Sequence, residues 1–253
     1  MSRLYNIGGR RLPSVTSVLS IVNKPGLMYW QRNMALQCIR ESLIATFRQE
    51  PSATASNTVL DPEWLDQLTK KAKSFPQEQL TKSASLGTRA HGVIEDLCCG
   101  RDVEPEADLI AVAESFLSWK KSQPDLHIID VEQLLYSEKH GYAGTADAIA
   151  MRTGGSRPGI IILDWKTSNA LHADYAMQAA AYAKAWEEMN GETVAEAQVI
   201  RFDKYHAKYE ARTVLSIENS FANFLHCLAL YNGQKAPAFE DVPGVDDPLL
   251  PKE

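Results

Sequence analysis

The chain has 253 residues, 45% hydrophobic and 23% charged, which is the balance of a folded globular protein and excludes a disordered or fibrous chain. Twenty-six Lys and Arg stand against 32 Asp and Glu, a formal charge of −6; this argues against a basic coat that grips nucleic acid everywhere, but not against a local basic groove beside clustered acids. No stretch approaches the ~20 apolar residues of a membrane span, and Met1 to Arg11 lacks the apolar core of a secretory leader or the long amphipathic helix of a transit peptide.

In chain order, residues 3–12 read as a short hairpin turning at Gly8-Gly9. Pro13 to Leu19 follows, where Ser14 or Thr16 can cap a helix carrying Val15, Val18, Leu19 and Val22. The same hydroxyls and capped N–H groups are candidates for holding a phosphate. Lys24-Pro25-Gly26 breaks this helix, and Leu27 to Arg48 forms a second, with Leu27, Trp30, Met34 and Ile39 on its apolar side. Residues 50–60 are small and polar, a surface loop. Asp61-Pro62-Glu63-Trp64 opens another helix with a cap, a proline in the first turn and an acid. Its basic patch of Lys70, Lys71 and Lys73 is of the kind that usually faces solvent. Ser83 to Cys99 is a further helix, with Ala90, Val93, Ile94 and Leu97 on one face and Thr88, His91 and Glu95 on another. Gly100 ends it, and Ala107 to Ser122 is the next amphipathic helix.

The period then changes. Leu126 to Tyr136 and Tyr142 to Met151, joined by a turn at His140-Gly141, read as strands, with Asp147 inside the second. After a Gly- and Pro-rich loop, Ile160-Ile161-Ile162-Leu163 runs straight into Asp164-Trp165-Lys166. Such a run is a fully buried strand, and Asp164 and Lys166 share one of its faces. Asp174 to Asn190 is an alanine-rich helix with Gln178 and Tyr182 on one side; Ala195 to Asp203 and Lys208 to Leu215 are strands; Ser216 to Tyr231 is a closing helix before a proline-rich tail. From residue 84 the order is α, α, β, β, β, α, β, β, α, a mixed α/β core with helices flanking a sheet.

Asp147 and Asp164, on adjacent strands, can converge at one end of that sheet. Hard divalent cations prefer carboxylate, carbonyl and water oxygens, so two carboxylates and the Trp165 carbonyl form a plausible shell for Mg2+ or Mn2+. His91 could add a nitrogen ligand, and Glu95 could hold a water behind the ion or a second ion. Lys166 could orient a water and offset charge on a phosphate, and Gln178 and Tyr182 could fix that phosphate or the lysine. Taken alone, Asp164–Lys166 also reads as a structural ion pair. The cysteines, Cys38, Cys98, Cys99 and Cys227, form no C-x-x-C pair and are expected to be reduced thiols in a cytoplasmic compartment, an organelle remaining open, without a zinc or iron–sulfur framework.

Gly87-Thr88-x-x-His91-x-x-x-Glu95, Gly141-Tyr142-x-Gly144-Thr145-x-Asp147, Asp164-Trp165-Lys166-Thr167 and Gln178-x-x-x-Tyr182 occur in that order. Together they resemble the PD-(D/E)XK nuclease superfamily in its RecB-like exonuclease branch, over about residues 84–190. Pro13 to Leu19 with Lys24-Pro25 is similar to phage exonucleases and the mitochondrial genome maintenance exonucleases. The resemblance implies a restriction-endonuclease-like α/β fold, a mixed central sheet flanked by helices, with an N-terminal helical elaboration. It divides the chain into a hairpin and helical arch (1–83), a nuclease core (84–233) and an extended tail (234–253). It implies an Mg2+- or Mn2+-dependent DNA exonuclease preferring single strands or free ends. His91, Asp147 and Asp164 would be metal ligands, with the Trp165 carbonyl. Lys166 would be the catalytic lysine, Glu95 a metal-associated acid, and Gln178, Tyr182, Ser14 and Thr16 substrate-binding. Tyr29, Trp30 and Trp64 in the arch are candidates to stack on bases.

Relatives with an iron–sulfur cluster carry three of its cysteines near the C-terminus; only Cys227 lies there, so no cluster is expected. No G-x-x-x-x-G-K-[ST] loop is present, and any helicase, polymerase or recombination partner would be a separate protein. Competing readings are a structure-specific, flap-type endonuclease on the same fold and a non-catalytic DNA-binding protein that keeps it.

Overall fold

The computed structural model describes residues 3–22, 24–49 and 61–234; the loop expected over 50–60 and the tail beyond residue 234 lie outside them. The chain begins with a hairpin of β1 (Leu4–Ile7) and β2 (Arg10–Pro13) that turns through Gly8 and Gly9, at φ 54° and 83°. Five residues of α1 (Val15–Leu19) follow, capped by Ser14, whose hydroxyl accepts the Ser17 N–H at 3.0 Å. Then come α2 (Pro25–Gln49) and α3 (Pro62–Cys98), which pack on each other.

What reads in the sequence as two helices before Gly100 is one helix of 37 residues. Asp61 caps it by accepting the N–H groups of Glu63 and Trp64. Pro76 lies within it and is buried with Leu68 and Ala72. A proline removes one ladder bond, but here its apolar ring is used in packing and the helix continues across residue 83. The residues expected to form separate N-terminal and core regions therefore share one helix.

After α4 (Ile110–Lys121) the sheet is laid down: β3 (Leu126–Ser137), β4 (Tyr142–Arg152) and β5 (Gly159–Lys166), then α5 (Ala173–Asn190), β6 (Val194–Phe202), β7 (Tyr209–Thr213) and α6 (Ile217–Gly233). The strands lie in sequence order, β3-β4-β5-β6-β7. All neighbours are antiparallel except β5 and β6, which are parallel. A parallel pair needs a crossover, and α5 supplies it. The observed fold is a mixed α/β architecture, a five-stranded mixed sheet between helices.

Each face of the sheet has its own core. Ile160 and Ile162 pack with α1, α5 and α6; Ile161, Leu163 and Trp165 pack with α3 and α4. A strand covered on both faces loses the alternation of a half-exposed one, which is why β5 is an unbroken apolar run. On the α4 side Phe116, Trp119, Trp165 and Phe202 form an aromatic cluster with ring centroids 5.1–6.3 Å apart. Lys24, where α1 gives way to α2, ion-pairs with Asp174 in the first turn of α5 at 2.7 Å and ties the N-terminal helical part to the sheet layer. Among the described residues no helix is long and apolar enough to cross a membrane.

Candidate functional site

The site begins where the sheet stops. β4 and β5 are paired only from Arg152–Gly159 to Ala148–Leu163, and beyond that they part. A side chain bridges the gap: Asp147 Oδ2 accepts the Trp165 N–H at 2.6 Å, in the place of a ladder carbonyl. The N–H and C=O of one strand residue lie on the same edge, so the Trp165 carbonyl faces the gap too. The Trp165 indole is turned away into the aromatic cluster and is 2% exposed.

The second oxygen of that carboxylate, Asp147 Oδ1, is 3.1 Å from His91 Nδ1, which reaches in from α3. Glu132 on β3 completes a group of three: one ligand atom each from His91, Glu132 and Asp147 lie within 4.8 Å of one another. The neighbouring pairs Val131–Ala148 and Gln133–Ala146 put Glu132 directly opposite Asp147. Its φ is +50°, the only positive value at a non-glycine among the described residues, a conformation that costs about 1–3 kcal/mol.

Glu132 is not the acid expected from the sequence. Glu95 was expected beside the metal, one helical turn beyond His91, but it faces Arg101 at 3.2 Å. Gly100, at φ 69°, ends α3 and turns the chain back, so that Arg101 engages both Glu95 and Asp96. Counting back from a two-residue turn at His140-Gly141 would set Leu134 opposite Asp147; the loop is two residues longer, with Ser137 pairing with Tyr142, and that register brings Glu132 there instead.

Asp164 and Lys166 share the α5 face of β5, as their spacing requires. Asp164 is fully buried; the Lys166 ammonium lies 2.5 Å from its Oδ2, and its Oδ1 has no hydrogen-bond partner. The ammonium also sits over the Tyr175 ring, 4.9 Å from the centroid. The two earlier readings of this pair meet here: it is a buried ion pair, and it leaves a carboxylate oxygen unsatisfied beside Asp147. Such an atom is costly unless something else binds it.

The environments push the two aspartates apart. Burial drives the Asp164 carboxyl up to about 6, against the pull of Lys166 and with the help of the Asp147 charge. Burial acts on Asp147 in the same sense but is outweighed by His91, Lys166 and the Trp165 N–H, which hold it below the ordinary carboxylate range. Burial and the Asp147 charge raise Glu132. Burial works to discharge His91 and Lys166, yet the facing carboxylates leave both above their ordinary values. Titratable groups displaced in opposite senses within one cleft are a mark of functional sites.

A cavity of about 320 Å3 opens over His91, Glu132 and Asp147. A second, of about 370 Å3, shares Gly87 and His91 with it and is lined by Lys166 and Thr167. Gln178 and Tyr182 border the first cavity, with Gln178 Nε2 donating to the Tyr182 hydroxyl at 3.2 Å. Tyr182 is itself buried, held against Gly144, and serves as a wall. Ser14 also borders the cavity, but its buried hydroxyl is engaged in capping α1 and in bonds to Ser17 and Thr16. Thr16 is exposed and offers the freer hydroxyl. On α2, Tyr29 is 61% exposed, with the Arg32 guanidinium 5.3 Å from its ring centre, whereas Trp30 on α2 and Trp64 on α3 are half-buried.

The donor set, carboxylates from two strands, an imidazole, a strand carbonyl and an orphaned oxygen next to them, has the chemistry that Mg2+ or Mn2+ selects. No protein-family model matches the chain, and no curated protein matches it. Among solved structures the chain is similar to the crystal structure of SSO0001, at 16% identity over 89% of this chain and 85% of that one, with a TM-score of 0.33. That likeness is too loose to bear on fold or function.

Proposed function

We propose that this protein is a metal-dependent deoxyribonuclease of restriction-endonuclease-like fold that hydrolyses phosphodiester bonds at free or single-stranded DNA ends. The observation that carries this reading is the buried Asp164–Lys166 pair set beside Asp147 where β4 and β5 part, with His91 facing it from α3. Asp147, His91, Glu132, the Trp165 carbonyl and Asp164 are the groups that would hold the cation. Once bound, it supplies charge for the phosphate and an acidified water.

The remaining roles belong to the chain. Lys166 is kept protonated by the carboxylates it faces; it is therefore a donor to a phosphate oxygen rather than a base. The Tyr182 wall and the aromatic core behind Trp165 keep bulk water from two sides of the site. The arch adds local positive charge to an acidic chain: residues 25–49 hold three arginines and one glutamate. Tyr29 with Arg32 presents an aromatic face and a cation together, the combination on which a single strand stacks without regard to sequence.

The experiment is digestion of end-labelled linear single-stranded, linear double-stranded and circular single-stranded DNA, with Mg2+, Mn2+ or EDTA. Linear strands are expected to be degraded to short products and circles to survive. Equal cutting of circles removes the requirement for ends, and the lack of any metal-dependent cleavage removes the proposal.

Two binding results follow from the geometry. Glu132→Gln is expected to weaken Mn2+ binding roughly 10–100-fold, while Glu95→Gln, at a side chain turned toward Arg101, stays within about twofold; isothermal titration calorimetry distinguishes them. Cation binding also requires Asp164 ionised. With its carboxyl raised to about 6, protons compete below that value, so affinity falls as pH drops through about 6 and binding releases protons. Titration in buffers of different ionisation enthalpy measures that release, and an affinity flat from pH 5 to 7 would count against Asp164 as a ligand.

A further inference from the structure

The cavity over Asp147 carries charge of both signs. Its wall holds Glu132 and Asp147 and also Arg3, the only Arg or Lys on it among the described residues. Nothing in the sequence singled out Arg3, and three contacts hold it in place. Its N–H donates to Ser17 Oγ at 3.1 Å, its carbonyl accepts the Ser14 N–H at 3.0 Å, and its guanidinium lies over the Tyr5 ring, 4.8 Å from the centroid. The Tyr5 hydroxyl is in turn bonded to Thr145 Oγ1 on β4 at 3.1 Å, and Ser14 bridges to Ala143 on the same strand. The hairpin is thus fastened to the strand that carries Asp147.

The guanidinium makes no ion pair among the described residues, and its charge is felt at Glu132. The hydroxyl-bearing residues Tyr5, Thr16 and Thr145 line the same cavity. A fixed guanidinium fork with hydroxyl donors matches a phosphate with free oxygens. A phosphomonoester carries about −1.5 to −2 charge near neutral pH, more than the single charge of an internal diester. A cavity of about 320 Å3 walled by the hairpin has the scale of one nucleotide.

We propose that the cavity at Arg3 is a subsite for the phosphomonoester at the end of a nucleic-acid strand, placed so that the terminal nucleotide lies over Asp147. This rests on the nuclease reading and deepens it: the enzyme would prefer one phosphorylated end and release mononucleotides or very short products. The recognition chemistry is the same for a 5′- and a 3′-phosphate, and the experiment separates them.

Deoxynucleoside 5′-monophosphate, 3′-monophosphate and the unphosphorylated nucleoside are titrated into the full chain with Mg2+, for wild type, Arg3→Ala and Arg3→Lys. One monophosphate is expected to bind at least about tenfold tighter than the nucleoside, the scale of a charge-assisted bidentate contact. That margin is lost in Arg3→Ala and partly kept in Arg3→Lys. Two monophosphates no tighter than the nucleoside, or a margin that survives Arg3→Ala, overturn the subsite. In parallel, linear single strands with phosphate or hydroxyl at each end are digested, and the ratio of rates is compared between wild type and Arg3→Ala. Metal-dependent cleavage with no end preference overturns the subsite and leaves the nuclease. A binding margin that depends on Arg3 without cleavage of any strand supports the subsite and overturns the nuclease.

Discussion

Asp164→Asn is expected to lower Mg2+-dependent cleavage of end-labelled DNA by at least about 10³-fold, and Lys166→Ala by about 10²–10³-fold. Asparagine keeps the shape of the buried group but removes the charge that would anchor a cation; alanine at 166 removes the ammonium that would meet charge developing on the phosphate. Both changes break a buried ion pair, and an orphaned buried charge can cost about 3–5 kcal/mol of stability. Loss of activity alone would therefore be ambiguous. The double replacement Asp164→Asn, Lys166→Met leaves neither charge behind, so it should unfold near the wild-type temperature and still be inactive. A single variant that keeps more than about a tenth of the wild-type rate would show that this pair is structural only.

Gly144→Ala should damage both stability and rate from outside the charged cluster. A methyl group there would lie 2.6 Å from Tyr182 Cε1 and 3.3 Å from Val15 Cγ2. Neither neighbour is a flexible end: Tyr182 is a buried ring and Val15 is a buried part of α1. Overpacking of this kind costs about 1–3 kcal/mol, and for a chain of this size each kcal/mol lowers the melting temperature by roughly 2–4 °C. The displacement also reaches Asp147, three residues along β4, and a misplacement of about 1 Å can cost on the order of 10²-fold in rate. Melting temperature, and turnover measured well below it, test the two parts. A variant with wild-type values for both would mean that α5 does not press on β4 as closely as described.

The sheet was legible for local reasons. Alternation and apolar runs marked β3 to β7 within a residue or two, because strand burial is written in the residues themselves. The α3 helix was legible only in two pieces, and burial of Pro76 along with Leu68 and Ala72 is what carries it through as one. The site was partly legible: the motif order singled out His91, Asp147, Asp164 and Lys166, and the fold brings them together. Glu95 was misplaced because helical spacing says which face a residue occupies but not that Arg101 will fold back onto it. Glu132 was missed because its position depends on the partner strand. Arg3 lies far from the motifs in sequence, and only the docking of the hairpin brings it near.

The parting of β4 and β5 has a consequence for when the proposed activity could arise. An intact sheet separates the helices on its two faces. Here the opening past Ala148 and Leu163 lets His91 from the α3 layer meet Gln178 and Tyr182 from the α5 layer around one carboxylate. Neither layer holds a complete site alone, and each docks through its own hydrophobic core. A partly folded chain, with one layer seated and the other loose, therefore lacks a complete site. Under the proposed nuclease reading, completion of folding would itself be the safety catch.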